Sequence, residues 1–179
     1  MLYYHTFYWI KEFTIVITMQ NKFVSYISVV ILLLLFSSFQ NTDIIIGKVI
    51  GIQDGDSITL LLDNQEQLKV RLEGIDCPEK KQDFGNVAKQ FTSDMVFSKE
   101  VYLHKTGNDR FGRVLGFIIL PANTNLNEEL LKAGLAWHFV KYNSSPRLSQ
   151  LESNARSQKI GLWQMPNPIP PWDFRKIKN

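Results

Sequence analysis

Between residues 44 and 72 the chain is a close series of short β-type segments separated by turn residues, and this limits the fold more than any other feature. Ile44-Ile45-Ile46 and Val49-Ile50 are β-branched, which suits a pleated, half-buried surface. Asp54-Gly55-Asp56 is a turn signal, and Ser57 to Leu62 follows as a second strand, closed by Asp63-Asn64-Gln65. Leu68, Val70 and Leu72 then alternate with Lys69, Arg71 and Glu73. A period of two puts the apolar three on one face and Arg71 on the other. Arg71 therefore need not enter the core and can point into a cleft.

The rest of the chain adds helices around these strands. Val87, Phe91 and Met95 fall at i, i+4 and i+8, which predicts a helix over 86–98 with that stripe facing the core. Residues 101–104 read as a strand, 106–113 as a loop and 114–120 as another strand. Pro121-Ala122-Asn123 is a turn. Asn125 with Glu128 forms a capping-box pattern ahead of Leu130-Leu131, and Gly134 ends that short helix. Ser145-Pro146 opens a third helix, with Leu148, Leu151 and Ala155 on its buried face and Gly161 as its terminator. About five strands, with one helix before the last and two after it, predict a small closed barrel of α+β class. Pro166 to Pro171 reads as an extended proline-rich tail, ending in Trp172 and the basic run Arg175-Lys176-Ile177-Lys178.

Composition sets further bounds. The 179 residues suffice for one domain with a real core. Cys77 is the single cysteine, so no intramolecular disulfide can form and the fold stands on its core. Three histidines, His5, His104 and His138, give no His/Cys spacing for zinc. After residue 40 there are 18 Lys and Arg against 16 Asp and Glu. So mild a balance does not itself announce a polyanionic partner. A local patch would have to draw one, for which Lys80, Lys81, Arg110 and Arg113 are the candidates.

The N-terminus is a separate segment. Residues 23–42 carry no charge, and Met19-Gln20-Asn21-Lys22 stands before them. That is the pattern of a signal-peptide n-region and h-region, with Met19 the expected start and residues 1–18 an extension. Ser37-Ser38-Phe39-Gln40 offers no clean small-x-small cleavage site. An uncleaved membrane-anchoring helix stays open beside a cleaved signal, since about 20 apolar residues can cross a bilayer. Either way the expected location is extracytoplasmic, secreted or anchored. The expected segments are 1–40 (signal or anchor), 41–165 (folded domain) and 166–179 (basic tail).

The chemistry lies in one cluster. Asp56, Arg71, Asp76 and Glu79, with Asp54 just upstream and Arg113 further on, combine carboxylates with arginines. Carboxylates can hold a hard cation and activate water, and arginines can stabilise charge on phosphate oxygens. Asp56 and Asp76 would repel each other if close and unpaired, and a divalent cation between them removes that penalty. Oxygen donors without histidine favour Ca²⁺ or Mg²⁺ over zinc. Pro78 restricts Cys77 to extended geometry, which helps to fix the direction of Glu79. Competing structural roles are a turn-forming Asp56 and ordinary ion pairs of Arg71 with Glu73 and of Arg113 with Asp109.

In order, Asp54-Gly55-Asp56-Ser57, Arg71-Leu72-Glu73-Gly74-Ile75-Asp76-Cys77-Pro78-Glu79, Asp109-Arg110-Phe111-Gly112-Arg113, Leu130 to Ala136 and Gly161-Leu162-Trp163 resemble the thermonuclease (staphylococcal nuclease-like) family over about residues 44–164. The resemblance implies a five-stranded OB-fold barrel with three helices and a calcium-dependent phosphodiesterase site. It implies that Asp56 and Asp76 are the metal carboxylates, that Cys77 supplies a backbone carbonyl to the metal, and that Arg71, Glu79 and Arg113 are catalytic. Asp54 matches a neighbouring acidic residue of the metal region. The implied activity is endonucleolytic hydrolysis of DNA and RNA, with single strands preferred and 3′-phosphate products, by a monomer. Three departures stand out: Ser57 for a common threonine, Phe111 for a common tyrosine, and a short loop from Lys80 to Gly85. Trp137, His138, Phe139 and Tyr142 could stack on bases or pack in the core. Two rivals share the sequence. One is a catalytically silent barrel that binds single strands; retention of both arginines and the glutamate argues against it. The other is a membrane-tethered domain whose tail docks a partner, in which case tail deletion would leave hydrolysis intact.

Overall fold

The computed structural model describes residues 43–177. The expected hydrophobic N-terminal helix, the Met19 start and the membrane segment 23–42 lie outside the described residues. Among those residues no helix is long and apolar enough to cross a membrane.

Strand β1 (Ile44–Asp54) pairs antiparallel with β2 (Ser57–Leu61), which pairs with β3 (Gln67–Leu72). The two-residue β4 (Ile75–Asp76) follows. β5 (Glu100–Asn108) lies on the other side of β1, and β6 (Val114–Leu120) pairs with β5. A parallel pairing of β6 with β3, Val70 opposite Val114, closes the five strands into a barrel. Register shifts in β1 and β5 bend these long strands around it. The inward positions, among them Val49, Leu60, Val70, Leu103 and Ile118, are fully buried. The alternation in β3 is as expected: Val70 and Leu72 are buried in the core, and Arg71 lies on the opposite face.

Helix α1 spans Gly85–Val96. Its buried face is Ala88, Thr92 and Val96, with Phe91 and Met95 packed at the edge of the core. Val87, expected in the core, is 52% exposed. The reason is Thr92, a polar side chain buried on this face, which an apolar count passes over.

After a 3-10 turn at Pro121–Asn123 and the short β7 (Thr124–Asn125) comes α2 (Leu126–Lys132). The Asn125 side chain caps it, accepting from the N–H groups of Asn127 and Glu128. Gly134, at φ 62°, ends it. Leu135 N–H donates to Leu130 C=O and Gly134 N–H to Leu131 C=O, the Schellman arrangement. β8 (Trp137–His138) pairs with β4.

Helix α3 (Pro146–Ser157) is capped by Ser145 and buries Leu148, Leu151 and Ala155 as expected. It does not end at Gly161. Lys159 takes the left-handed conformation instead, with Ile160 N–H donating to Ala155 C=O, and Gly161 opens a 3-10 turn over Gly161–Gln164.

The tail is not extended throughout. Pro171–Ile177 forms a fourth helix, α4, beyond the three expected. Seven residues are too few for a helix to hold on propensity alone. Docking supplies the difference: the Trp172 ring stacks on Phe139 at 5.1 Å and meets Trp137 edge-on at 5.7 Å.

Candidate active site

An open cleft of about 740 Å³ runs along the barrel and is lined by Asp54, Asp56, Arg71, Asp76, Cys77, Glu79 and Arg113. The expected catalytic and metal residues thus line one cavity together with Arg110, whereas Lys80 and Lys81 are not part of its lining. Asp56 leaves the turn between β1 and β2. Its Oδ2 accepts from Cys77 N–H at 2.5 Å, and its backbone carbonyl accepts from Leu72 N–H at 2.8 Å. The turn must approach α1 closely at Gly55, where a Cβ would sit 2.8 Å from that of Ala88 and 2.9 Å from that of Cys77.

Arg71 is gripped on two sides. Nη1 donates to the carbonyls of Leu72 and Ile75, both at 2.9 Å. Nη2 reaches Asp76 Oδ1 at 2.8 Å and Asp56 Oδ2 at 3.1 Å. Its ion partners are thus the two aspartates of the site rather than Glu73. Asp76 is 1% exposed, held by the pairing of β4 with β8.

Arg113 does pair with Asp109, and the pair serves the site. Asp109 Oδ1 accepts from the N–H groups of Phe111 and Arg113 at 2.9 Å, and Oδ2 from Arg113 Nε at 2.7 Å. This leaves Nη1 to reach Ser57 Oγ at 3.3 Å, beside Asp56. Glu79 follows Pro78 at the cleft, with its backbone N–H on Gln82 Oε1 at 3.1 Å.

Asp56 and Asp76 share the buried Arg71 guanidinium, and Arg175 adds a second, partly exposed guanidinium on Asp76. Burial pushes the Asp56 carboxyl up to about 8; Asp54 and Asp76 push the same way, and Arg71 and the Cys77 N–H oppose them. Burial works against the Arg71 charge, but Asp56 and Asp76 outweigh it and hold the guanidinium ionised. Burial, with Asp56 beside it, raises the Cys77 thiol well above its ordinary value. That is the wrong direction for a thiolate nucleophile.

The sequence model of the family described as "Staphylococcal nuclease homologue" matches residues 69–165. The chain belongs to this nuclease family. An "Uncharacterized endonuclease" of Escherichia coli is 39% identical over 132 residues, covering 74% of this chain and 86% of that relative. A protein of Haemophilus influenzae with the same description is 40% identical over 129 residues, 72% of each chain. The "Micrococcal nuclease" of Shigella flexneri is 38% identical over 140 residues, 73% of this chain and 80% of that one. Family membership together with the constellation supports nuclease activity of the hydrolase type.

The family resemblance implies a cation, and the donors present suit one. Among the described residues no three Asp, Glu, His or Cys side chains converge on one metal position. Asp56 and Asp76 with the Cys77 carbonyl are instead two carboxylates and a carbonyl beside an open cleft, where water would have to complete the shell of a hard cation. Burial is the chief cause of the raised Asp56 carboxyl, with Asp54 and Asp76 adding to it, and a cation beside it would favour the ionised form.

Sequence reasoning missed one residue that lines this cleft. Arg175, counted as part of a basic tail, enters the cleft from α4. Nη2 donates to Asp76 Oδ2 at 2.7 Å and Nη1 to Glu79 Oε1 at 2.7 Å. Asp76 and Glu79 outweigh the effect of burial and raise the Arg175 guanidinium above its ordinary value. The available signal was spacing: Trp172 and Arg175 stand at i, i+3 after Pro171, so a docked tryptophan carries the arginine on the same helix face. The base-stacking candidates also divide. Trp137 and His138 are buried, and Phe139 lies against Trp172. Tyr142 stays 67% exposed and lines the cleft with Phe111, at 69%.

Proposed function

We propose that this chain is a divalent-cation-assisted nuclease that hydrolyses phosphodiester bonds of DNA and RNA within the strand. The observation that carries this reading is the convergence of Arg71, Glu79 and Arg113 on the cleft that holds Asp56 and Asp76. Glu79 takes a proton from the attacking water, whose oxygen bonds to phosphorus as the opposite P–O bond breaks, and the leaving oxygen takes up a proton from solvent in the open cleft to depart as a hydroxyl. Arg113 offers its Nη groups, and Arg71 its Nε–H, to the phosphate oxygens as charge builds on them. The Nη groups of Arg71 are already committed to Asp56, Asp76 and two carbonyls, so that arginine works from a fixed position. Asp56, Asp76 and the Cys77 carbonyl would hold the cation, Ca²⁺ in preference to Mg²⁺, which supplies Lewis-acid polarisation of the phosphate when bound. Family likeness favours cleavage that leaves a 3′-phosphate. Exposed Phe111 and Tyr142 at the rim suit unpaired bases, which supports a single-strand preference. The proposed setting is extracytoplasmic, with a secreted or membrane-anchored monomer and residues 23–42 as leader or anchor.

The test is hydrolysis of single-stranded DNA with Ca²⁺ and with chelator, using the wild type and Glu79→Gln. We expect hydrolysis with Ca²⁺ only, and a loss of about 10²–10⁴-fold in the variant. Equal rates in chelator would remove the cation from the mechanism, and full activity of Glu79→Gln would remove the base. Tight binding without cleavage under any divalent cation would make the chain a silent binding module.

A further inference from the structure

We propose that Arg175 is a positioning residue of this site, which holds the carboxylates of Glu79 and Asp76 in their working orientation. This makes the C-terminal tail a part of the catalytic apparatus, and it rests on the nuclease reading above. Among the described residues, the Arg175 guanidinium is the one side-chain group bonded to the Glu79 carboxylate. The Glu79 side chain is otherwise partly exposed, and an exposed glutamate samples several rotamers. A base must be held within hydrogen-bond reach of its water. Arg175 supplies that restraint with a planar fork, one prong on Glu79 and the other on Asp76.

Two features make this more than a passing surface pair. The first is that the tail is tied to Glu79 twice. Gln82 accepts from the Glu79 backbone N–H through Oε1 and donates through Nε2 to the Ile169 carbonyl at 2.5 Å. One amide side chain thus fastens both the base's backbone and the segment leading into α4, while Trp172 fixes the helix itself against Phe139. The second is charge. Asp56 and Asp76 are buried against a single buried guanidinium, Arg71, and a surplus buried charge is costly. Arg175 brings the second positive charge. A carboxylate has about four acceptor positions; Arg71 takes one on Asp76 Oδ1 and Arg175 one on Oδ2, with a longer 3.3 Å contact to Oδ1. These contacts leave about one acceptor position of Asp76 open.

The experiment uses the full chain as wild type, R175Q, R175K, W172A, E79Q and E79Q/R175Q. kcat and KM are measured on single-stranded DNA with Ca²⁺, beside thermal unfolding. R175Q is expected to lose about 10–100-fold in kcat with KM little changed, and R175K, a point charge without a fork, to recover only part. W172A should move kcat the same way by undocking the helix. In the E79Q background, R175Q should bring a smaller further fall, because the base it positions is gone and only its hold on Asp76 remains to be lost. An unchanged kcat, or a loss undiminished in E79Q, overturns the proposal. So does a higher kcat, which would make the guanidinium a plug, or a change confined to KM, which would make it a substrate contact. If R175Q fails to fold, R175K and W172A decide by the same criteria. An inert wild type would sink the nuclease reading alone. Hydrogen exchange over residues 78–82 then decides: it rises in R175Q or W172A if the arginine holds that segment, and unchanged exchange overturns the proposal.

Discussion

Arg113 owes its direction to Asp109, whose carboxylate turns the loop through two backbone N–H groups and takes Nε with its second oxygen. Some burial works against the Asp109 charge, but the bonds from Arg113 and Phe111 outweigh it and hold the carboxyl below its ordinary 3.8. A carboxyl lowered in the folded state stabilises that state above the ordinary value, and the stabilisation is lost as pH falls through the lowered one. Asp109→Asn keeps an oxygen for the two N–H groups but loses the charge. We expect it to reduce kcat about 10-fold at neutral pH and to remove about 1 kcal/mol of stability. It should also flatten the acid arm of the stability curve below pH 4. Melts from pH 2.5 to 5 check this, and an acid arm identical to that of the wild type would refute it. At this scale the sequence was legible in identity but not in partnership. Ion pairing of Arg113 with Asp109 could be foreseen only as a rival to function, whereas the pair is what aims the arginine.

Elements were legible where local chemistry decides them and shifted where tertiary contacts do. The Asn125 and Ser145 caps and the left-handed Gly134 follow from short-range rules. The face of α1 does not, because Thr92 stands in the middle of it. Its side chain is fully buried, and Oγ1 donates to the Gly55 carbonyl at 2.6 Å. The sequence alone shows a threonine, not the carbonyl that satisfies it. The contact matters to the site, since Gly55 lies inside the turn that presents Asp56. Thr92→Val keeps the shape and removes the donor, leaving a buried carbonyl without its partner. The expected loss is about 1–3 kcal/mol, with a smaller fall in kcat. Urea unfolding measures the first; a change near zero would mean that apolar packing alone holds α1 against the turn.

At the scale of the whole molecule, the barrel was legible because its strands alternate and its turns are marked. The tail was not, because its helix depends on surfaces built by distant parts of the chain. Trp137 comes from β8 and Trp163 from the turn after α3; their rings meet edge-on at 4.5 Å, and the Arg156 guanidinium lies 3.8 Å from the Trp163 centroid. Trp172 joins this cluster from α4. A proline-rich run in isolation gives no hint of such a receptor, so composition suggests a free arm that could be removed without effect. The structure implies the opposite. Deleting residues 166–179 uncovers Trp137 and Phe139 and withdraws Arg175 from Asp76 and Glu79 together. Loss of a largely buried tryptophan is worth about 1.5–3 kcal/mol, so the truncated chain should unfold at a lower urea midpoint. Tryptophan emission should shift to the red as the Trp137 ring meets water, and hydrolysis should fall with it. Trp172→Ala in the full chain should give most of the emission shift and of the stability loss, because the ring is the anchor and the basic residues follow it. A truncated chain with the midpoint, emission and activity of the intact one would return the tail to the role of a dispensable arm.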